Sequence, residues 1–170
     1  VLADEPTGSL DAASAAELAA SLIALLPGHD VTNDLFGRRG QADLDRLDRV
    51  TRNISRDVDH VFWLKEKRLR AAFVQQGARV GAYAYGGADQ VGPVAGSTAD
   101  AALAAIGWAL RLAIEAGAEE ELEVRVPAGF TAAIETMLDG GARLRSALLL
   151  YGIGVTLAFD RSVMGAINLP

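Results

Sequence analysis

Residues 69–96, LRAAFVQQGARVGAYAYGGADQVGPVAG, decide how the rest of the chain is arranged. Three apolar runs, LRAAFV, RVGAYAY and QVGPVA, are separated by QQGA and GGAD, where Gly and Asp supply the backbone freedom of tight turns. The pattern predicts three consecutive strands in a meander. Tyr83 and Tyr85 alternate with Ala82, Ala84 and Gly86, so both rings share one face of the second strand, suited to packing under a helix. Gly92 and Pro93 are awkward inside a regular sheet and predict a bulge or splayed edge in the third strand. A splayed strand opens a gap that a ligand can enter.

Working outward toward the C-terminus, Gly96, Ser97, Thr98 and Asp100 precede AALAAIGWALRLAIEAG, a long helix apolar on nearly all sides except at Arg111 and Glu115. Such a helix packs deeply on a sheet, with Trp108 in the contact. Ser97 or Thr98 caps it, and its N-terminus offers free N–H groups and the positive dipole end that suit a pyrophosphate, as every helix start does. ELEVRVP then reads as a strand with Leu122, Val124 and Val126 on one face, ended by Pro127. AGFTAAIETMLDGGARL reads as a helix with Ala133, Ile134, Met137 and Leu138 inward, stopped by Gly140 and Gly141. ALLLYGIGVTLAF predicts the last hairpin strands, and DRSVMGAINLP a polar tail.

Toward the N-terminus, Leu44, Leu47, Val50, Ile54 and Val58 recur every three or four residues and predict one buried helix face. Asp43, Asp45, Arg46, Asp48 and Arg49 are expected to solvate the opposite face. His60 lies beside Phe62 and Trp63; a packed or substrate-lining role is the plainer reading for it than direct catalysis. Lys65, Lys67, Arg68 and Arg70 form a small basic cluster, either solvated loop charge or a contact for an anionic cofactor tail. The polar, aperiodic HDVTNDLFGRRG marks a boundary, with residues 1–40 as an N-terminal helical segment and 41–170 as the main domain. Leu18, Leu22, Leu25 and Leu26 give that segment a helical stripe that ends at Pro27 and Gly28.

Composition narrows the function classes. The chain has 170 residues, 51% of them hydrophobic but only 6% aromatic, so its core is built from Ala, Leu, Val and Ile. A net charge of -6 has the wrong sign for binding phosphate backbones, which argues against nucleic acid as a partner. With no Cys and two His there is no ligand set for a structural zinc site and no disulfide framework, as expected of a cytoplasmic protein. No apolar run reaches the roughly 20 residues of a membrane helix. Val1 is mid-strand in character, the expectation for a fragment of something longer.

VLADEPTGSLDAASAAEL, residues 1–18, closely resembles the Walker B strand end and following loop of ABC-transporter ATPases. That resemblance implies that Asp4 associates with magnesium, that Glu5 activates the attacking water, and that Asp11 matches the D-loop. No GxxxxGK[ST] phosphate cradle or LSGGQ-like signature accompanies them.

The order helix, three meandering strands, helix, strand, helix, strands resembles the GNAT superfamily of N-acyltransferases over roughly residues 41–165. RDVDHVFWL, RVGAYAY, QVGPVAG, EVRVP, GGARL and the late FDR are most similar to the C-terminal repeat of bacterial proteins that carry two GNAT-like domains in tandem. The resemblance implies an α+β fold, with a mixed, mostly antiparallel twisted sheet flanked by helices and splayed at a central strand. It implies acetyl-CoA as cofactor, with QVGPVAG as the splayed strand, Val94 or Ala95 N–H facing the thioester oxygen, and Gly96, Ser97, Thr98 and Ala99 as the pyrophosphate loop. GSTAD departs from the family's RGxGxG-type loop, and the usual tyrosine general acid is missing from the helix after EVRVP. Tyr151, on the next strand, is the substitute, or else a core or surface tyrosine.

The resulting expectation is an acyl-CoA-dependent N-acyltransferase-like domain, either weakly active or a non-catalytic partner repeat. Its acceptor would be a small-molecule or peptide amine, and its protein partner a second GNAT-like domain or a second copy. The alternatives are an ABC-type ATP-binding fragment and an interaction module without a ligand.

Overall fold

The computed structural model describes residues 2–26, 28–31, 38–118, 121–151 and 160–163. The meander forms as the sequence predicts, as β3 (Arg70–Gln76), β4 (Arg79–Gly87) and β5 (Gln90–Gly96). Before it come β1 (Leu2–Asp11), α1 (Ala12–Ile23), β2 (Gly28–Val31), α2 (Arg38–Arg52) and α3 (Asp57–Lys65). After it come α4 (Ala99–Glu115), β6 (Glu121–Arg125), α5 (Thr131–Asp139), β7 (Arg143–Tyr151) and β8 (Ser162–Val163). The class is α+β. The strands form two sheets, β2-β3-β4-β5-β8 and β6-β1-β7. All ladders among the described residues are antiparallel.

Side-chain alternation on the meander sorts the core into two layers. Ala72, Val74, Ala82, Ala84 and Val94 face α4 and join one cluster, while Ala71, Phe73, Tyr83, Tyr85 and Ala95 join a second with Leu44, Leu47 and Trp63. The small residues let α4 lie close to the sheet. At Gly86 a Cβ would fall 2.8 Å from Leu112 Cβ, so only glycine fits beneath the helix there. On its other side α4 is crossed by α1 at Gly107, where a Cβ would meet Leu22 Cβ at 2.7 Å. Twelve residues of α4 are buried, because the helix is sandwiched between sheet and helix.

The predicted irregularity in the third strand is a bulge. The β4–β5 register passes from Ala84↔Val94 to Gly86↔Val91, so Gly92 and Pro93 stand where one residue would fit. In consequence Val91 and Val94, three apart, face the same cluster. Beyond β5 the ladder continues to β8, and β6 belongs to the other sheet. Cα atoms of β5 and β6 approach within 8 Å, yet no ladder joins them among the described residues.

Five expectations change. The single helix from Gln41 to Val58 is two, because Asn53 adopts φ 57 and closes α2 in a left-handed cap. The buried stripe of α2 is Leu44, Leu47, Asp48, Thr51 and Arg52, whereas Val50, Ile54 and Val58 are 50%, 54% and 82% exposed. Asp48 therefore belongs to the dry face, not the wet one. Residues 29–31 of the segment read as an aperiodic boundary, with Gly28 before them, pair with β3 as β2. Within the segment read as a polar tail, Ser162 and Val163 pair with β5 as β8. On α5, Leu138 is exposed instead of inward, and only Ala133 and Met137 are fully buried.

The N-terminal residues are tied to the same body. β1 is the central strand of its sheet, between β6 and β7, and Ala15, Leu18, Ala19 and Leu22 of α1 lie in the cluster that contains α4.

Candidate functional site

The meander places Tyr83 and Tyr85 under α2 and α3, and there they meet a closed set of polar side chains. Helical spacing brings Asp48 and Arg52 to one face of α2 one turn apart, and His60 projects from α3 onto the same spot. Asp48 is the hub. Its Oδ1 accepts the Tyr83 hydroxyl at 2.7 Å, its Oδ2 lies 2.8 Å from His60 Nε2, and Arg52 Nη1 lies 3.9 Å from Oδ1. On the other side of the ring, His60 Nδ1 lies 2.7 Å from the Tyr85 hydroxyl. Arg52 Nη1 donates to the Tyr83 oxygen at 3.3 Å.

These donors and acceptors form one chain: Tyr85 to His60 to Asp48, with Tyr83 on the other carboxylate oxygen and Arg52 as counter-charge. Trp63 packs edge-on to His60 with ring centroids 5.2 Å apart. Arg56 lies over the Trp63 ring, its Cζ 4.6 Å from the centroid, and pairs with Asp59 at 2.6 Å. All five members of the chain are buried, and Asp48, Tyr83 and Tyr85 have no exposed surface. Burial, above all, pushes both phenols well above their ordinary range. They are protonated hydrogen-bond donors at neutral pH. The arrangement is sealed from solvent, so its chemistry is to hold elements together by charge-assisted bonds.

Arg52 carries the chain to the predicted cofactor edge. Its Nη2 donates to the Val94 carbonyl at 3.3 Å and, more weakly, to the Val163 carbonyl at 3.5 Å. Val94 and Val163 are registered partners in the β5–β8 ladder. Two positions on, the Gly96 N–H donates to the Arg161 carbonyl at 3.0 Å. Because antiparallel ladders alternate, that bond turns Val94 toward β8 and Ala95 toward β4.

The loop after β5 is equally engaged. Ser97 N–H donates to the Gly81 carbonyl at 2.8 Å, and its hydroxyl lies 2.7 Å from Gln76 Oε1 and 2.9 Å from Gly81 O. Gly81 is the extra residue of a bulge where the β3–β4 register slips between Val74 and Gln75. Thr98, not Ser97, caps α4, its Oγ1 accepting from Ala101 N–H at 3.2 Å. Ala99 opens the helix. The structure thus brings Val94, Ala95, Gly96, Ser97, Thr98 and Ala99 together as one strand-to-helix corner. It does not fit them to a coenzyme A chain: β8 occupies the outer edge of β5, and the amides of Gly96 and Ser97 already have carbonyl partners.

The other sequence candidates lie apart from this corner. Tyr151 ends β7 opposite Leu2; its side chain lies outside the described residues. Asp4 and Glu5 pair with Leu149 and Leu148 in the interior of β1, a strand that continues to Asp11 instead of ending at the carboxylate pair. Asp11 caps α1, accepting from Ser14 N–H at 3.0 Å and the Ser14 hydroxyl at 2.7 Å, bonds that hold its carboxyl below the usual range. From the basic cluster, Arg70 pairs with Glu115 at 2.8 Å. No group of His and acidic side chains among the described residues could hold a metal ion, and no described helix is long and apolar enough to cross a membrane.

Asp48 was missed as a site residue because a carboxylate among charged neighbours reads as solvated, and Arg52 was not singled out. The available signal was their register with Leu44, Leu47 and Thr51 on one helical face. Comparison with protein-family models, with curated proteins and with solved structures finds no match to this chain.

Proposed function

We propose that this chain is an acyl-CoA-dependent N-acyltransferase-like domain of the GNAT type, held in a closed form that transfers acyl groups weakly or not at all. The observation that supports it is the break between the sheets: among the described residues β5 runs beside β6 without a ladder, and it leads into the N-terminus of α4. Once β8 is released, the end of β5 next to the helix start offers backbone groups and a dipole end to a thioester with a diphosphate tail. The acceptor in this reading is an amine of a small molecule or peptide. The closed form is the reason for weak activity. A ligand at this edge must displace β8, and its apparent affinity falls by the fraction of molecules in which β8 is released.

Thermal unfolding with acetyl-CoA, free CoA and Mg-ATP tests the proposal. Ligand that binds only the folded state raises stability by about 2.7 kcal/mol at 100 times its Kd. Stabilisation by acetyl-CoA and CoA, and none by Mg-ATP, is the expected result. Stabilisation by Mg-ATP alone would move the assignment to a nucleotide-binding fragment, and silence with all three would leave an interaction module.

A further inference from the structure

We infer that Arg52 is the tie that holds β8 against β5, and that the buried chain behind it keeps the proposed acyl-CoA edge closed. The closure part rests on the acyl-CoA reading; the tie does not. Among the described residues β8 pairs with β5 at Val94↔Val163 and Ala95↔Ser162. A side chain from beneath joins the same two strands. A single nitrogen, Arg52 Nη2, reaches both carbonyls of the registered pair Val94 and Val163, one from each strand. Each carbonyl has a second lone pair for such a bond, and the cationic guanidinium donates to them at 3.3 and 3.5 Å.

The grip is pre-organised. Arg52 is itself buried, its Nη1 lies on the Tyr83 oxygen, and Asp48 balances its charge while being fixed by Tyr83 and His60. Four elements therefore converge on one side chain: α2 carries it, β4 positions it through Tyr83, and β5 and β8 are joined by it. The network is buried too deeply to meet a substrate, and its members have no exposed function to perform. Holding the strap is the role that accounts for Arg52 pointing at backbone carbonyls of two strands instead of at solvent. Arg52 is a positioning residue in this account.

The experiment is amide hydrogen exchange on the full chain, read at the Gly96 N–H, which donates to Arg161 beside the β5–β8 pair. Two variants are compared with wild type. Arg52→Met removes the tie but leaves Asp48 unbalanced. Asp48→Asn with Arg52→Met removes the tie and the charge together, so that a folded protein is available if the single variant fails. The expected result is exchange at Gly96 about tenfold faster or more, while amides of the β3–β4 ladder are unchanged relative to it, because opening is local. Tighter acetyl-CoA binding by the variants than by wild type is expected alongside. Exchange that is unchanged at Gly96, or that rises equally in β3 and β4, overturns the tie. Selective opening at Gly96 with no gain in acetyl-CoA binding leaves the tie standing and overturns the acyl-CoA assignment of the edge.

Discussion

Replacing Asp48 by alanine removes the hub of the buried chain, and its cost can be worked from the contacts. The carboxylate accepts from Tyr83 and His60 and balances Arg52, so its loss strands two buried donors and a buried cation. Breaking a buried ion pair from one side costs about 3–5 kcal/mol. Each stranded donor adds about 1–3 kcal/mol when counted alone. Because all three losses share one atom group they do not sum, and the expected cost is about 4–6 kcal/mol. Against the roughly 5–15 kcal/mol that hold a domain together, this is about a third of the stability or more.

Urea unfolding followed by tryptophan fluorescence reads it, with Trp63 packed against His60 as a local reporter. The Arg52→Met variant completes a double-mutant cycle. Removing the cation relieves the charge that Asp48→Ala leaves behind, so the double variant should be more stable than the sum by about 1–3 kcal/mol. A cost below about 1 kcal/mol for Asp48→Ala would show that the carboxylate is solvated, as an exposed charge is, and the described network would be wrong.

Gly107→Ala sets helix propensity against space: alanine gains about 1 kcal/mol in a helix interior. The Cβ, however, would meet Leu22 Cβ at 2.7 Å and Ala19 O at 2.9 Å, an overlap with α1. Overpacking costs about 1–3 kcal/mol, so a net loss in chemical unfolding is expected, and a gain would mean that α1 does not cross there. Thr98→Ala removes the cap of α4 and should cost about 1 kcal/mol, with Ser97→Ala leaving the cap intact. Raising the pH tests the two phenols, which burial keeps protonated above their ordinary range. Above about pH 10 the unfolded chain loses those protons while the folded chain keeps them. Stability that is complete below that pH then falls as pH rises, by up to about 2.7 kcal/mol per unit for two phenols. Tyr83→Phe should roughly halve the slope in pH-dependent unfolding, and an unchanged slope would contradict the burial of Tyr83.

What could be read from the sequence followed from local periodicity. The turns QQGA and GGAD, the alternation of Tyr83 and Tyr85 with alanines, and the bulge at Gly92 and Pro93 are properties of neighbouring residues, and the meander formed accordingly. Long-range pairing left weaker traces. Ser162 and Val163 are polar-tail residues until β5 supplies an edge, and β2 is four residues whose only strand signal is its partner β3. The α2 stripe misled because hydrophobicity stood in for burial. Val50, Ile54 and Val58 continue an apolar repeat past Asn53, where the helix in fact stops, while Asp48 and Arg52 are drawn inward by partners on other elements. His60 was visible as a packed histidine, but its carboxylate and tyrosine partners come from α2 and β4 and could not be paired with it by spacing.

The central claim is that the corner from Val94 to Ala99 is an acyl-CoA edge closed by β8. The most direct measurement is an NMR titration of the full chain with acetyl-CoA, following backbone amides. The account predicts shifts concentrated at residues 94–99 and at Ser162 and Val163, as ligand displaces the strap. Saturating shifts elsewhere, or none at this corner, would contradict it.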